Sequence, residues 1–84
     1  MELKDTVPLM TSGDYKERFQ AEYHQLKTRT GKLIAMLDQW DNGILPFTPA
    51  CPRRVLEKQL QVMLDYLALL ALRAQLENIN LNEE

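Results

Sequence analysis

An all-α fold follows from three observations on this 84-residue chain. Two long stretches space their apolar residues alternately by four and three, the period of packed helices. A proline-bracketed break separates them. The second stretch also carries more apolar faces than one partner helix can cover. The expected architecture is a short N-terminal arm and a long antiparallel helical hairpin, assembled into a homo-oligomeric helical bundle. One domain is expected over 1–84: arm 1–10, helix one about 13–41, connection 42–51, helix two about 52–77 and tail 78–84. A lone two-helix hairpin of this size buries little volume for its surface, so it would be marginal alone.

The arm holds Pro8, which argues against a long helix there. Leu3, Val7 and Leu9 either anchor it or leave it to fray. Thr11-Ser12-Gly13-Asp14 then opens helix one. With Thr11 as N-cap, Asp14 completes a capping box, and Met10 and Tyr15 take the positions of a hydrophobic staple. Asp14 and Glu17 also favour the positive end of the helix dipole. The seam of helix one is Phe19, Tyr23, Leu26, Thr30, Leu33, Leu37 and Trp40, widened by Ile34 and Met36. Gly31 lies mid-helix, either as a tolerated weakness or where another backbone or a ligand comes close.

Asp41-Asn42-Gly43 stops the helix, with Gly43 suited to a left-handed C-terminal position. Pro46 and Pro49 stiffen the connection, where Leu45 and Phe47 are expected to plug the open end beside Trp40. Pro52 suits the first position of helix two. Its seam is Leu56, Leu60, Met63, Leu67, Leu70 and Ala74. A second stripe runs Val55, Val62, Tyr66, Leu69 and Leu76, and Leu64 and Leu72 stand outside both. One stripe is buried within the hairpin; the others need another molecule. The tail frays unless Ile79 and Leu81 dock.

Composition excludes several function classes. Net charge is −2, against a general nucleic-acid or anionic-membrane binder. A single cysteine allows no internal disulfide and no cysteine-based zinc site, and fits a reducing cytoplasm. Met1–Met10 lacks the apolar core of a signal peptide. The greasiest stretch, Val62–Leu72, is interrupted by Asp65 and too short to span a bilayer. His24 lacks an orienting partner and reads as a surface residue. Cys51 has Arg53 and Arg54 nearby but no general base, and reads as structural. No paired carboxylates, metal-ligand spacing or phosphate loop stands out, and Asp38 and Asp41 read as solvating the helix end. No enzyme activity, cofactor or metal is expected.

The cations and aromatics are more informative. Arg18, Lys27, Arg29 and Lys32 lie on helix one; Arg53, Arg54 and Lys58 open helix two. Arg73 interrupts the second stripe in the register of Tyr66. An interfacial Arg73 needs an acceptor: a carboxylate such as Glu22 or Glu77, or a phosphate, whose oxygens the guanidinium fork matches. Tyr15, Phe19 and Tyr23 lie along one strip beside Arg18. Aromatics at this spacing build a core, or with arginine they hold a base and its phosphate.

Tyr15-Lys16-Glu17-Arg18-Phe19 with Glu22-Tyr23, then Leu26, Arg29, Leu33 and Leu37, resembles a family of short phage and prophage proteins. The likeness continues through Leu45-Pro46-Phe47, Cys51-Pro52, Leu56, Gln59, Met63, Tyr66-Leu67, Leu70, Arg73-Ala74 and Glu77. That family is named after a gene product of a crAss-like phage and implies a phage accessory role in the host cytoplasm. In size, helix count and need to oligomerise the chain is also similar to anti-CBASS sponges, phage proteins that hold cyclic oligonucleotides between subunits without cleaving them. The motif of those sponges is absent here, so the likeness is architectural and transfers no binding residue. It implies a ligand of cyclic di- or trinucleotide class. The candidate ligand-binding residues are Tyr15, Arg18, Tyr23 and Arg29 from helix one and Tyr66 and Arg73 from helix two. The alternative is an inhibitor or adaptor, anti-CRISPR-like or regulatory, docking a host defence protein through helix two.

Overall fold

A computed structural model describes residues 1–81. It is all-helical: a short arm of 3-10 helix (Leu3–Thr6) and α1 (Val7–Met10), then α2 (Tyr15–Asp41) and α3 (Arg53–Leu76). The arm packs on α2, and α3 packs on α2 from another direction without touching the arm. α3 runs back along α2: its first residue, Arg53, reaches Asp41 at 2.6 Å, and Arg73 lies over the Phe19 ring at 4.9 Å. The expected seams face one another. Phe19, Thr30 and Leu37 of α2 are buried, as are Leu70 and Ala74 of α3, and the remaining seam residues are half-buried.

The helix ends follow local chemistry. The N-cap of α2 is Asp14, whose carboxylate accepts from the Lys16 N–H at 2.9 Å. This corrects the expectation that Thr11 caps it. Thr11 belongs to the last turn of α1, where its hydroxyl donates to the Val7 carbonyl at 2.9 Å, so it has no helix start to cap. The staple shifts with it, and Met10 Sδ accepts from Gln25 instead. Both long helices end in the same motif. Gly43 (φ 70°) and Asn78 (φ 56°) take the left-handed position. Ile44 and Ile79 then donate back to the carbonyls of Gln39 and Ala74 at 3.0 and 2.8 Å.

That second turn-back docks the tail. Ile79 is buried, in one cluster with Phe19, Leu70 and Ala74, and Tyr23, Leu26 and Leu81 pack against it. Lys16 and Gln20 side chains donate to the carbonyls of Asn78 and Asn80. The last part of the tail, residues 82–84, lies outside the described residues. The arm is anchored too. Thr6, fully buried, donates to the Leu3 carbonyl at 2.7 Å and accepts from Gln25 Nε2 at 2.9 Å. Thr28 donates to the Met1 carbonyl at 2.9 Å.

These two attachments explain a second correction. His24 is not a surface residue; it is only 3% exposed and meets Tyr23 edge-on at 5.3 Å. On the helix wheel it falls between Gln20, held by the tail, and Thr28, held by the arm. At the connection the expected plug is partial. Leu45 is half-buried, Phe47 stays exposed, and the cation stacked on Trp40 at 5.3 Å is Arg53.

Candidate functional site

The two broad sides of the α2–α3 pair differ in chemistry. Near the connection a groove of about 330 Å³ is lined by Ile34, Asp38 and Asp41 of α2 and by Arg53, Glu57 and Leu64 of α3. It is an acidic side with one guanidinium in it. Arg53 donates to both Asp41 oxygens, at 2.6 and 3.1 Å, and forms an ion pair with Glu57, Nε to Oε1, at 3.1 Å. The hydrogen bond from Arg53 lowers the Asp41 pKa below its ordinary value, and the same bond raises that of Arg53. Sequence reasoning gave Asp41 to solvent, because Arg53 is remote in sequence and only the turn-back brings them together.

The groove residues fix which side of each seam is which. At 3.6 residues per turn, Arg18, Glu22, Arg29 and Lys32 fall on the opposite side of the α2 seam, with Tyr15 near its edge. Val62, Tyr66, Leu69 and Arg73 fall on that same opposite side of α3. So five of the six candidate residues, Tyr15, Arg18, Arg29, Tyr66 and Arg73, share one side of the pair. Tyr23 does not: it is half-buried against the core cluster and His24.

Within this side the arginines differ in how they are held. Arg18 donates to the Ser12 carbonyl at 2.8 Å across the start of α2. Arg73 lies over Phe19 and donates Nε to Glu77 Oε2 at 3.0 Å, one turn on. Of the two carboxylates weighed from sequence, Glu77 is the one shown bonded to Arg73. Arg73 is nevertheless half-exposed, with further donors left over. Arg29 is exposed, as are Tyr15 and Tyr66.

Beside these cations lies the outer face of α3, and it is uncovered. Val55, Val62, Leu69 and Leu76 are 46, 53, 59 and 74% exposed, and Leu64, Tyr66 and Leu72 are exposed as well. The buried hydrophobic core of the described residues is by contrast six side chains: Phe19, Ala21, Leu37, Leu70, Ala74 and Ile79. Among the described residues no group of His, Cys, Asp and Glu is arranged to hold a metal ion. No helix among them is long and apolar enough to cross a membrane.

The side's chemistry, cations and rings bordering an apolar face, suits an anion with flat groups. A model of the Sequestin family matches residues 13–76, both long helices with their connection. The chain belongs to the Sequestin family. No curated protein and no solved structure matches it. The Sequestin match takes in all six candidate residues and leaves out the arm and the docked tail.

Proposed function

We propose that this Sequestin family member is a phage-encoded counter-defence protein acting in the host cytoplasm. It binds a cyclic di- or trinucleotide immune messenger and sequesters it, without cleavage, in pockets formed where hairpins assemble. The observation that carries this reading is the cation- and aromatic-bearing side of the helix pair, bordered by an uncovered apolar helix face. Arg18 and Arg29 would neutralise phosphates and Tyr15 and Tyr66 would stack on bases, with Arg73 and Tyr23 at the border. The family name speaks of sequestration, which supports the same role. Holding a ligand asks only for complementary charge and stacking, and neither needs a nucleophile or a metal.

The test is native mass spectrometry of the protein with a panel of cyclic di- and trinucleotides, followed by titration calorimetry on the best binder. Stoichiometric uptake of intact nucleotide is expected. Arg29→Ala should weaken binding roughly tenfold to a hundredfold, the worth of one charged hydrogen bond of about 1.5–3 kcal/mol. Uptake of none of the panel would refute the reading.

A second reading is favoured by the exposed α3 face itself. Leu69 and Leu76 would dock a host defence protein, making the chain an inhibitor or adaptor. Self-association separates the two: a chain that stays a folded monomer until a host protein is added favours the adaptor.

A further inference from the structure

We infer that α3 pairs with the α3 of a second copy, antiparallel and centred on Val62, with Lys58 of each copy against Asp65 of the other. The pairing rests on the assembly of copies that the sequestration reading also uses, and it needs no ligand.

The α3 face asks for an occupant whenever the chain is folded. Among the described residues six buried hydrophobic side chains make a small core, while Val55, Val62, Leu69 and Leu76 lie in water. Domains of this size are marginal unless assembly adds to the buried area. A host target met only in an infected cell does not meet that need; another copy of the chain does. The four residues also recur every seven positions along α3, the period of a helix partner.

Charge selects the arrangement. Lys58 and Asp65 are both exposed, and Asp65 accepts from Gln61 Nε2 at 3.2 Å through one of its two oxygens. At about 100° per residue the two lie roughly 40° and 60° from Val62, on the flank away from Tyr66. Seven residues, about 10.5 Å, hold them apart within one chain. The two-fold axis of an antiparallel pair keeps matching flanks together. Three such registers set three or more stripe residues against the partner's stripe. The register that matches all four is centred between Asp65 and Tyr66. It puts Asp65 beside the partner's Asp65, and like charges oppose it. The register centred on Leu69 puts Asp65 beside the partner's Leu72, where a carboxylate loses water and gains no partner. The register centred on Val62 puts Asp65 beside the partner's Lys58, one residue from level, twice by symmetry. Leu76 then reaches past the start of the partner's α3, the end at which the connection leaves Ile44 and Phe47 exposed. A parallel pair brings opposite flanks together, so Asp65 comes beside the partner's Tyr66 instead.

The pairing has a consequence for the site. The Val62 stripe stands about 120° round α3 from the seam residues Leu56 and Ala74, measured through Tyr66. Each helix pair therefore bends towards its cationic side, and the two-fold puts both cationic sides on the same face. The two α3 helices floor one trough, and Arg18 and Arg29 of each copy stand on its α2 walls.

The experiment is light scattering after size exclusion, without any nucleotide, on the wild type, K58E, D65K and K58E/D65K, each checked for helicity by circular dichroism. The wild type should be an oligomer at micromolar concentration. Each single reversal sets like charges together at two places. It should raise the dissociation constant roughly fivefold or more, and the double swap should restore it to within about threefold. Residues 58 and 65 are too far apart to mend one another within a chain, so rescue reports the contact between copies. Cysteine cross-linking in a C51S background reads the register. V62C should form a disulfide-linked dimer and L69C should not, because only position 62 meets its own copy across the two-fold. A folded wild-type monomer would overturn the inference, as would a double swap no tighter than the singles or a dimer linked through L69C. Failure of nucleotide binding with rescue and cross-linking intact would count against the messenger alone.

Discussion

α2 and α3 are of similar length, 27 and 24 residues, and are buried in opposite proportion to their apolar content. α2 is the more polar helix, yet it buries Phe19, Ala21, His24, Thr30 and Leu37 at several points of its circumference. α3 is rich in leucine, yet buries only Leu70 and Ala74. Topology makes the difference. The arm, the tail and α3 all close on α2, whereas α3 meets α2 and, at its C-terminal end, Ile79 of the tail, and leaves its outer face to solvent. α2 behaves as the interior of the subunit and α3 as its outward face, so a substitution on each should fail in a different way.

The largest contrast is expected between Leu70 and the outer stripe. Leu70→Ala empties the centre of the Phe19–Ala74–Ile79 cluster, where Leu70 is 1% exposed. A buried Leu→Ala substitution costs about 2–5 kcal/mol, enough to unfold a core this small. Thermal melts should show a loss of stability that raising the protein concentration barely recovers. Leu76→Ala, at 74% exposure, should spare the isolated chain, and its melting temperature should climb with concentration as assembly is re-formed. Equal, concentration-independent losses at both positions would erase the distinction between the two helices.

A smaller effect is expected at the arm, which makes α2 interior on its second flank. Thr6→Val keeps the shape of a fully buried residue and removes the acceptor of Gln25 Nε2. The cost should be about 1–2 kcal/mol. Hydrogen exchange should quicken in 3–10 while the seam of α2 and α3 stays protected. Unchanged exchange there would mean that the arm's grip lies elsewhere.

The seams were legible in the sequence because a repeat of four and three has one sensible partner, and the surplus of α3 was legible for the same reason. His24 and Thr11 were not. Both depend on where the arm lands, and the arm's four-residue helical turns carry no periodicity from which a docking face follows. Ile79 was left open because one isoleucine after a helix looks like tail until the left-handed turn at Asn78 folds it back. Of the candidate site, the side shared by Arg18, Arg29, Tyr66 and Arg73 is a consequence of helical period. The acceptor of Arg73 was left open by sequence between a carboxylate, such as Glu22 or Glu77, and a phosphate, and within the folded chain it is Glu77 that accepts from Arg73 Nε.

Gly31 tests whether α2 is interior on every flank. A Cβ added there meets nothing within 4 Å, so within one chain the position is open. Gly31→Ala should therefore raise stability by about 1 kcal/mol through helix propensity alone. A fall in stability, or a loss of assembly, would show that a neighbouring copy comes close at Gly31 and that α2 also contributes an interface.

The smallest effect is expected at the acidic end, where α2 meets the start of α3. Asp41 is held below its ordinary pKa by its hydrogen bonds from Arg53. A carboxyl whose pKa is lower folded than unfolded stabilises the fold above the unfolded value and loses that contribution as pH falls through the folded one. Asp41 is exposed, and such pairs are screened by water and salt, so the gain is slight. Asp41→Asn should lower the melting temperature by a degree or so at neutral pH and low salt, in line with exposed pairs. The gap between variant and wild type should close in acid, below the usual carboxylate range, and shrink in high salt. A gap that persists at low pH would show that Asp41 acts by geometry, fixing the turn that brings α3 back along α2, rather than by charge.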